Sequence, residues 1–214
     1  MCGKDWTTGS FSCTLSEQVT QLNRMIPGIG FPNSECQRLI EDGSIHLPEG
    51  ADRWVAIPNR EKNPVLFGEC YLYAFCKISA VFALDRDLRN FNFNVWDHWD
   101  QFIQTHVSEI YFREISKRQS NPDILIVPAQ VGSRKGPLSP GEYGLGVFGC
   151  MSMLLTHPHL LEDHESPAVI CSGDLYRADK VLSFLHDGSS SVMFVQNISE
   201  VKWSECRNPT GFLF

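Results

Sequence analysis

Apolar positions recur along this chain at two spacings, and the spacing changes near the middle. Leu15, Val19, Leu22 and Met25 share one face of a helix expected over 14–25. The stretch IPGIGFPN breaks it. Ser34 is placed to cap a second short helix, 35–42, which Gly43 stops. A PEG turn leads into a short strand, 54–57, that Pro58 ends, and 64–84 read as one long buried helix. FNFNV, at 91–95, alternates as a short strand or extended connector does. Trp99, Phe102, Ile103, His106 and Ile110 then trace the stripe of an amphipathic helix over 97–118, with Asp97 as its cap.

The second half has short apolar runs instead. Strands are expected at 123–130, 167–174 and 190–198, and helices at 144–161 and 176–187. Strand, helix, strand, helix, strand is the order of a βαβαβ unit. The expected fold is α/β or α+β: a single domain with a mixed or parallel sheet in the second half, covered by helices. Residues 1–43 read as an irregular or helical N-terminal extension to a domain over 44–214.

Composition narrows the function. A chain of 214 residues is long enough to bury a sizeable core without disulfides or metal. Its net charge of -7 and scattered cations argue against nucleic acid, which demands a basic face. The densest basic group, Arg113, Lys117 and Arg118, falls at a helix end, where cations complement the dipole. Eight cysteines without a CxxC, several inside apolar runs, point to free thiols and a cytoplasmic protein. No apolar stretch is long enough to span a bilayer, and the best candidate, 71–84, contains Lys77. No cofactor is implied.

The phrases HLPEGADRWVAIPN, DILIVPAQVGSRKG, GEYGLGVFGCMSMLLTHPHL and CSGDLY lie between His46 and Tyr176. Together they resemble a family of bacterial proteins to which no activity is attached. The resemblance therefore implies a region and no reaction. It draws attention to Gln130, Arg134, Glu142, His157, Cys171 and Asp174, polar residues that packing alone does not require. Lys135 stands where the family usually has histidine.

Several constellations could carry chemistry. Gly144, Gly146 and Gly149 spell GxGxxG at a helix start, a pattern that lets phosphate reach backbone N–H groups. A long loop precedes it, however, and Glu142 would repel phosphate, so close helix packing is the preferred reading. Cys171 ends an expected strand and could be a nucleophile activated by His157 and oriented by Asp174 or Glu142. His157, His159, Asp163 and His164 cluster without metal-ligand spacing, so no metal is assigned. Trp96, His98, Trp99 and Phe102 could form an aromatic interaction surface, although core filling explains them as well. The loop 131–142 carries Arg134 and Lys135, a pair suited to a phosphate or carboxylate. The leading expectation is binding or catalysis on a small anionic molecule at the strand C-terminal ends. Gln130, Arg134 and Lys135 would bind it, and Cys171, His157, Asp174 and Glu142 would act on it. The alternative is a non-enzymatic protein-interaction module.

Overall fold

A computed structural model describes residues 13–85, 88–90, 102–132, 137–162 and 166–213. Helix α1, Leu15–Met25, opens with a reciprocal cap: Glu17 N–H donates to the Thr14 hydroxyl, and Thr14 N–H donates to the Glu17 carboxylate. Helix α2, Ser34–Glu41, is capped by Asn33, one residue earlier than expected. Strand β1 spans Arg53–Pro58. The single helix expected over 64–84 is two, α3 (Pro64–Phe67) and α4 (Tyr71–Asp85). Gly68 separates them at φ 71°, and a Cβ there would lie 2.3 Å from the Tyr73 ring.

Two short strands follow, β2 (Leu88–Asn90) and β3 (Phe102–Gln104), and then helix α5 (His106–Arg118). The amphipathic helix thus starts at His106, not at 97. Thr105 caps it by accepting from Ser108 N–H, and the residues before Thr105 pair with a strand instead. Ile103 and Ile110 of the expected stripe are exposed. FNFNV, Trp96, His98 and Trp99 lie outside the described residues. Strand β4 is Ile124–Gln130, β5 is Glu142–Gly144, and helix α6 is Val147–Thr156. Strands β6 (Val169–Tyr176), β7 (Lys180–His186), β8 (Ser191–Asn197) and β9 (Thr210–Phe212) complete the described chain.

The protein is a mixture of helix and sheet, as expected, but the parallel arrangement is overturned. One sheet has the order β1-β4-β9-β5 and is antiparallel throughout. The other has the order β2-β8-β7-β6-β3, and only its short β2–β8 edge pair is parallel. The second-half strands therefore form an antiparallel meander, with β7 where a helix was expected over 176–187. Arg177 and Ala178 make the reversal at φ 53° and 65°. Two left-handed residues suit a tight hairpin, but the usual signal is Asn-Gly or Asp-Gly. Val181, Leu182, Ser183 and Phe184 are all buried, so no alternation marks the strand either.

Every residue of α6 is buried, which matches its lack of a polar face. It packs against α1, α4, β1 and β6 and so forms the centre of the fold. Leu22 of α1 and Ile29 beyond it are fully enclosed in the same core, so the segment read as an extension is built into the structure. Two glutamines close open backbone edges. Gln18 accepts from Ala56 N–H and donates to Trp54 C=O on the outer edge of β1. Gln119 does the same with both backbone groups of Ile126 on β4. Each thereby satisfies two buried polar groups that would otherwise be orphaned.

Candidate functional site

The two sheets meet where the turn from β5 into α6 crosses β6, and glycine makes the crossing possible. Gly173 N–H donates to Leu145 C=O at 3.1 Å. A Cβ on Gly173 would lie 2.4 Å from Gly144 O and Gly146 N. A Cβ on Gly144 would lie 2.3 Å from Ser172 Oγ, and one on Gly146 2.5 Å from Asp174 Oδ1 and 2.6 Å from Tyr71 Oη. A Cβ on Gly149 would meet ordinary contacts at 3.5 Å or more. Gly144 and Gly146 thus serve close packing, Gly144 against β6 and Gly146 against the Asp174 and Tyr71 side chains, which agrees with the preferred reading of the motif.

That crossing delivers Asp174 to the start of α6. Gly146 offers no side-chain cap. Val147 N–H, one of the donors that a helix start leaves open, gives its hydrogen to Asp174 Oδ2 at 2.5 Å. Tyr71 Oη donates to the same oxygen at 2.6 Å and accepts from Phe148 N–H at 3.4 Å. Asp174 is fully enclosed, and its Oδ1 has no hydrogen-bond partner among the described residues. Burial pushes its carboxyl up to about 7, although the Tyr71 and Val147 hydrogen bonds and the Arg60 charge pull the other way. Burial, the Asp174 charge and the hydrogen bond to it raise the Tyr71 hydroxyl well above its ordinary value.

Tyr71 is half-buried and connects this pair to a cleft of about 620 Å³. Arg60, Glu61, Gln104, Ile103 and Arg113 line the cleft around it. At its inner end a recess of about 20 Å³ reaches Gly146 and Phe148, room for one water-sized group. The Arg60 guanidinium lies 5.2 Å from the centre of the Tyr71 ring and donates to Gln104 Oε1 at 3.2 Å. Arg113 is held by Glu61 at 2.9 Å and Glu109 at 2.8 Å. The charges of the lining are mixed, with no cationic excess.

The described residues among those singled out from sequence do not assemble into one site. His157 caps the C-terminal end of α6, with its N–H on Met153 C=O, whereas Asp174 sits at the other end. The ten residues between span about 15 Å. His157 is buried, and Nδ1 lies 2.9 Å from Thr156 Oγ1. Burial, with Arg53 and His159 nearby, lowers it to about 4, so it is a neutral imidazole at physiological pH. Cys171 is fully enclosed, and burial and the neighbouring Cys150 raise its thiol well above the ordinary range. A nucleophilic cysteine needs the opposite environment, exposed and electropositive. Glu142 is buried with Oε1 accepting from Thr210 Oγ1 at 2.6 Å and Oε2 from Ser139 N–H at 2.8 Å, which ties β5 to its neighbours. Gln130 is half-buried at the end of β4. His157 and His159 rings are 5.9 Å apart. Arg134, Lys135, Asp163 and His164 lie outside the described residues. Of the five site candidates among the described residues, only Asp174 is connected to the cleft, through Tyr71.

Tyr71, Arg60 and Gln104 were missed. Tyr71 reads as one more apolar position of a buried helix, and Gln104 as part of an amphipathic one. Arg60 followed a proline in a turn, where no pattern singles it out. No helix among the described residues is long and apolar enough to cross a membrane. No family model matches the chain, and no curated protein or solved structure is significantly similar to it.

Proposed function

We propose that the protein binds a small polar molecule in the cleft beside Arg60 and Gln104, with the Tyr71 hydroxyl as the group that meets it. The supporting observation is the coupling of Tyr71 to a buried carboxyl that titrates about 7. A carboxyl near neutrality can hold or release a proton under ordinary conditions. Tyr71 can therefore donate to a ligand while Asp174 replaces its proton, or accept while Asp174 takes it. Arg60 adds a cation at the ring face and fixes Gln104, so donors and acceptors converge at the recess. The lining, two arginines and three glutamates, favours a neutral or zwitterionic ligand over a strongly anionic one.

A thermal-shift screen of polar metabolites on wild type and Tyr71→Phe tests this. A cleft ligand should stabilise wild type and bind the variant at least about tenfold more weakly, the loss of one hydrogen bond to a buried group. A ligand that stabilises both equally removes Tyr71 from the site.

A second reading, a non-enzymatic interaction module, has one observation in its favour. Ile103, Val107 and Ile110 are exposed at 61%, 51% and 42% beside the cleft. A spacing of three places the α5 pair, Val107 and Ile110, on neighbouring turns of one face. Concentration-dependent sedimentation that Ile110→Ser abolishes would favour this reading over ligand binding.

A further inference from the structure

The inner recess and the open cleft share four polar residues, Arg60, Glu61, Tyr71 and Gln104. These four mark the mouth of the recess, and their hydrogen-bonding capacity decides what enters it. Gln104 is held in one orientation. An arginine can only donate, so the Gln104 atom that receives Arg60 Nη2 at 3.2 Å is its oxygen. Its Nε2 then carries two N–H donors that have no partner among the described residues. Tyr71 adds a third donor. When Asp174 is protonated it donates to Tyr71 Oη, and the Tyr71 O–H is free to turn toward the recess.

Glu61 supplies the opposite character. Its Oε1 receives Arg113 Nε at 2.9 Å and lies 3.8 Å from Arg60 Nη2, and its Oε2 receives no hydrogen bond among the described residues. The side chain keeps 41% of its surface, so that oxygen can meet a ligand. Arg113 is also held by Glu109 at 2.8 Å. Each guanidinium here thus already faces a carboxylate, and Glu69 adds a further negative charge to the cleft wall. Phe112, Leu125 and Phe148 line the recess, an apolar surround in which a charged group would lose its hydration. At about 20 Å³ the recess takes one non-hydrogen atom.

We infer that the mouth of the recess takes the primary carboxamide of a small uncharged molecule, with its oxygen in the recess and its nitrogen turned to Glu61. The inference rests on the cleft reading and narrows its ligand. A carboxamide oxygen is one uncharged acceptor that meets the Gln104 and Tyr71 donors, and its NH2 group supplies the donor that Glu61 Oε2 lacks. A carboxylate offers the same oxygen but sets a second one against Glu61. A ketone offers the oxygen and leaves Glu61 unmatched. The rest of the molecule lies in the cleft of about 620 Å³, along Ile103 and Pro64.

The test titrates the full-length protein with three probes of one shape, benzamide, benzoate and acetophenone, at constant pH and ionic strength. NMR follows the Gln104 side-chain amide signal. Benzamide should move that signal saturably, with benzoate at least about tenfold weaker and acetophenone at least about threefold weaker. Glu61→Gln, at an exposed position, should erase the preference for benzamide over benzoate, because it removes the repelling charge and releases Arg60 and Arg113. Benzoate or acetophenone binding as tightly as benzamide would overturn the inference. So would a preference that survives Glu61→Gln, or a Gln104 signal that benzamide leaves unmoved. The cleft reading outlives each of these failures if another polar metabolite still requires Tyr71. Benzamide that binds wild type and Tyr71→Phe equally would sink both. Should Tyr71→Phe fail to fold, the probe order in wild type and Glu61→Gln decides the inference without it.

Discussion

The two ends of α6 should titrate against each other, and single substitutions should separate them. Asp174 at one end has a carboxyl raised to about 7, and His157 at the other an imidazole lowered to about 4. Between about pH 4 and 7 the folded protein keeps a proton on Asp174 that the unfolded chain has lost, so stability falls as pH rises. At about 1.36 kcal/mol per unit, the loss reaches roughly 4 kcal/mol above pH 7. His157 acts in the opposite sense. Between about pH 4 and 6.5 the unfolded chain binds a proton that the folded one refuses, so stability rises with pH by roughly 3 kcal/mol. Across about pH 4 to 6.5 the two slopes cancel, and this pair leaves wild-type stability nearly level. Asp174→Asn retains an oxygen for Tyr71 and Val147 but cannot ionise, and His157→Gln removes the opposing slope. Relative to wild type, Asp174→Asn should therefore gain roughly 4 kcal/mol between about pH 4 and 7, and His157→Gln should lose roughly 3 kcal/mol between about pH 4 and 6.5. Urea unfolding at a series of pH values, followed by tryptophan fluorescence, gives both difference curves. Exposed carboxylates titrate alike in all three proteins and drop out. A difference curve that varies by less than about 1 kcal/mol over this range would refute the buried-carboxyl account for that residue.

The remaining predictions concern packing and access. Gly173→Ala should destabilise by more than about 3 kcal/mol, since its Cβ would strike backbone atoms, and Gly146→Ala by about 1–3 kcal/mol, since its Cβ would strike side-chain ends; chemical denaturation of both checks the order. Gln18→Ala should cost about 2–4 kcal/mol because it leaves Ala56 N–H and Trp54 C=O without their partner, which equilibrium unfolding measures. All seven described cysteines are free thiols. Under native conditions iodoacetamide should modify exposed Cys70 first, and Cys150 and Cys171 only after unfolding, with peptide mass spectrometry as the readout.

Elements whose sequence carries a stop signal or a one-sided pattern were legible. The capped helices α1 and α2, the strands β1, β4, β6 and β8, and the buried helix α6 all lie within a few residues of expectation. What failed were decisions made by partners distant in sequence. Phe102–Gln104 continues a helical stripe on paper, yet it pairs with Tyr176, Leu175 and Asp174 as β3. β7 has no glycine in its turn and no exposed face, so nothing local separates it from a short helix. Once that hairpin was read as a helix, the whole sheet acquired the wrong direction, because a crossover helix demands parallel strands.

The site shows the same division between residue chemistry and placement. GxGxxG at a helix start correctly announced a close approach to backbone N–H groups, but the anion that approaches is internal. Asp174 reaches Val147 N–H across the glycine crossing and occupies the position where a phosphate-binding loop would receive its ligand. An enclosed carboxylate there excludes a second anion by charge and by volume. The same carboxylate, kept from water and relieved in part by Tyr71, one backbone N–H and the Arg60 charge, acquires a proton affinity near neutrality. The glycines that remove the phosphate reading are therefore the feature that makes Asp174 titratable, and Tyr71 is the route by which that titration reaches the cleft.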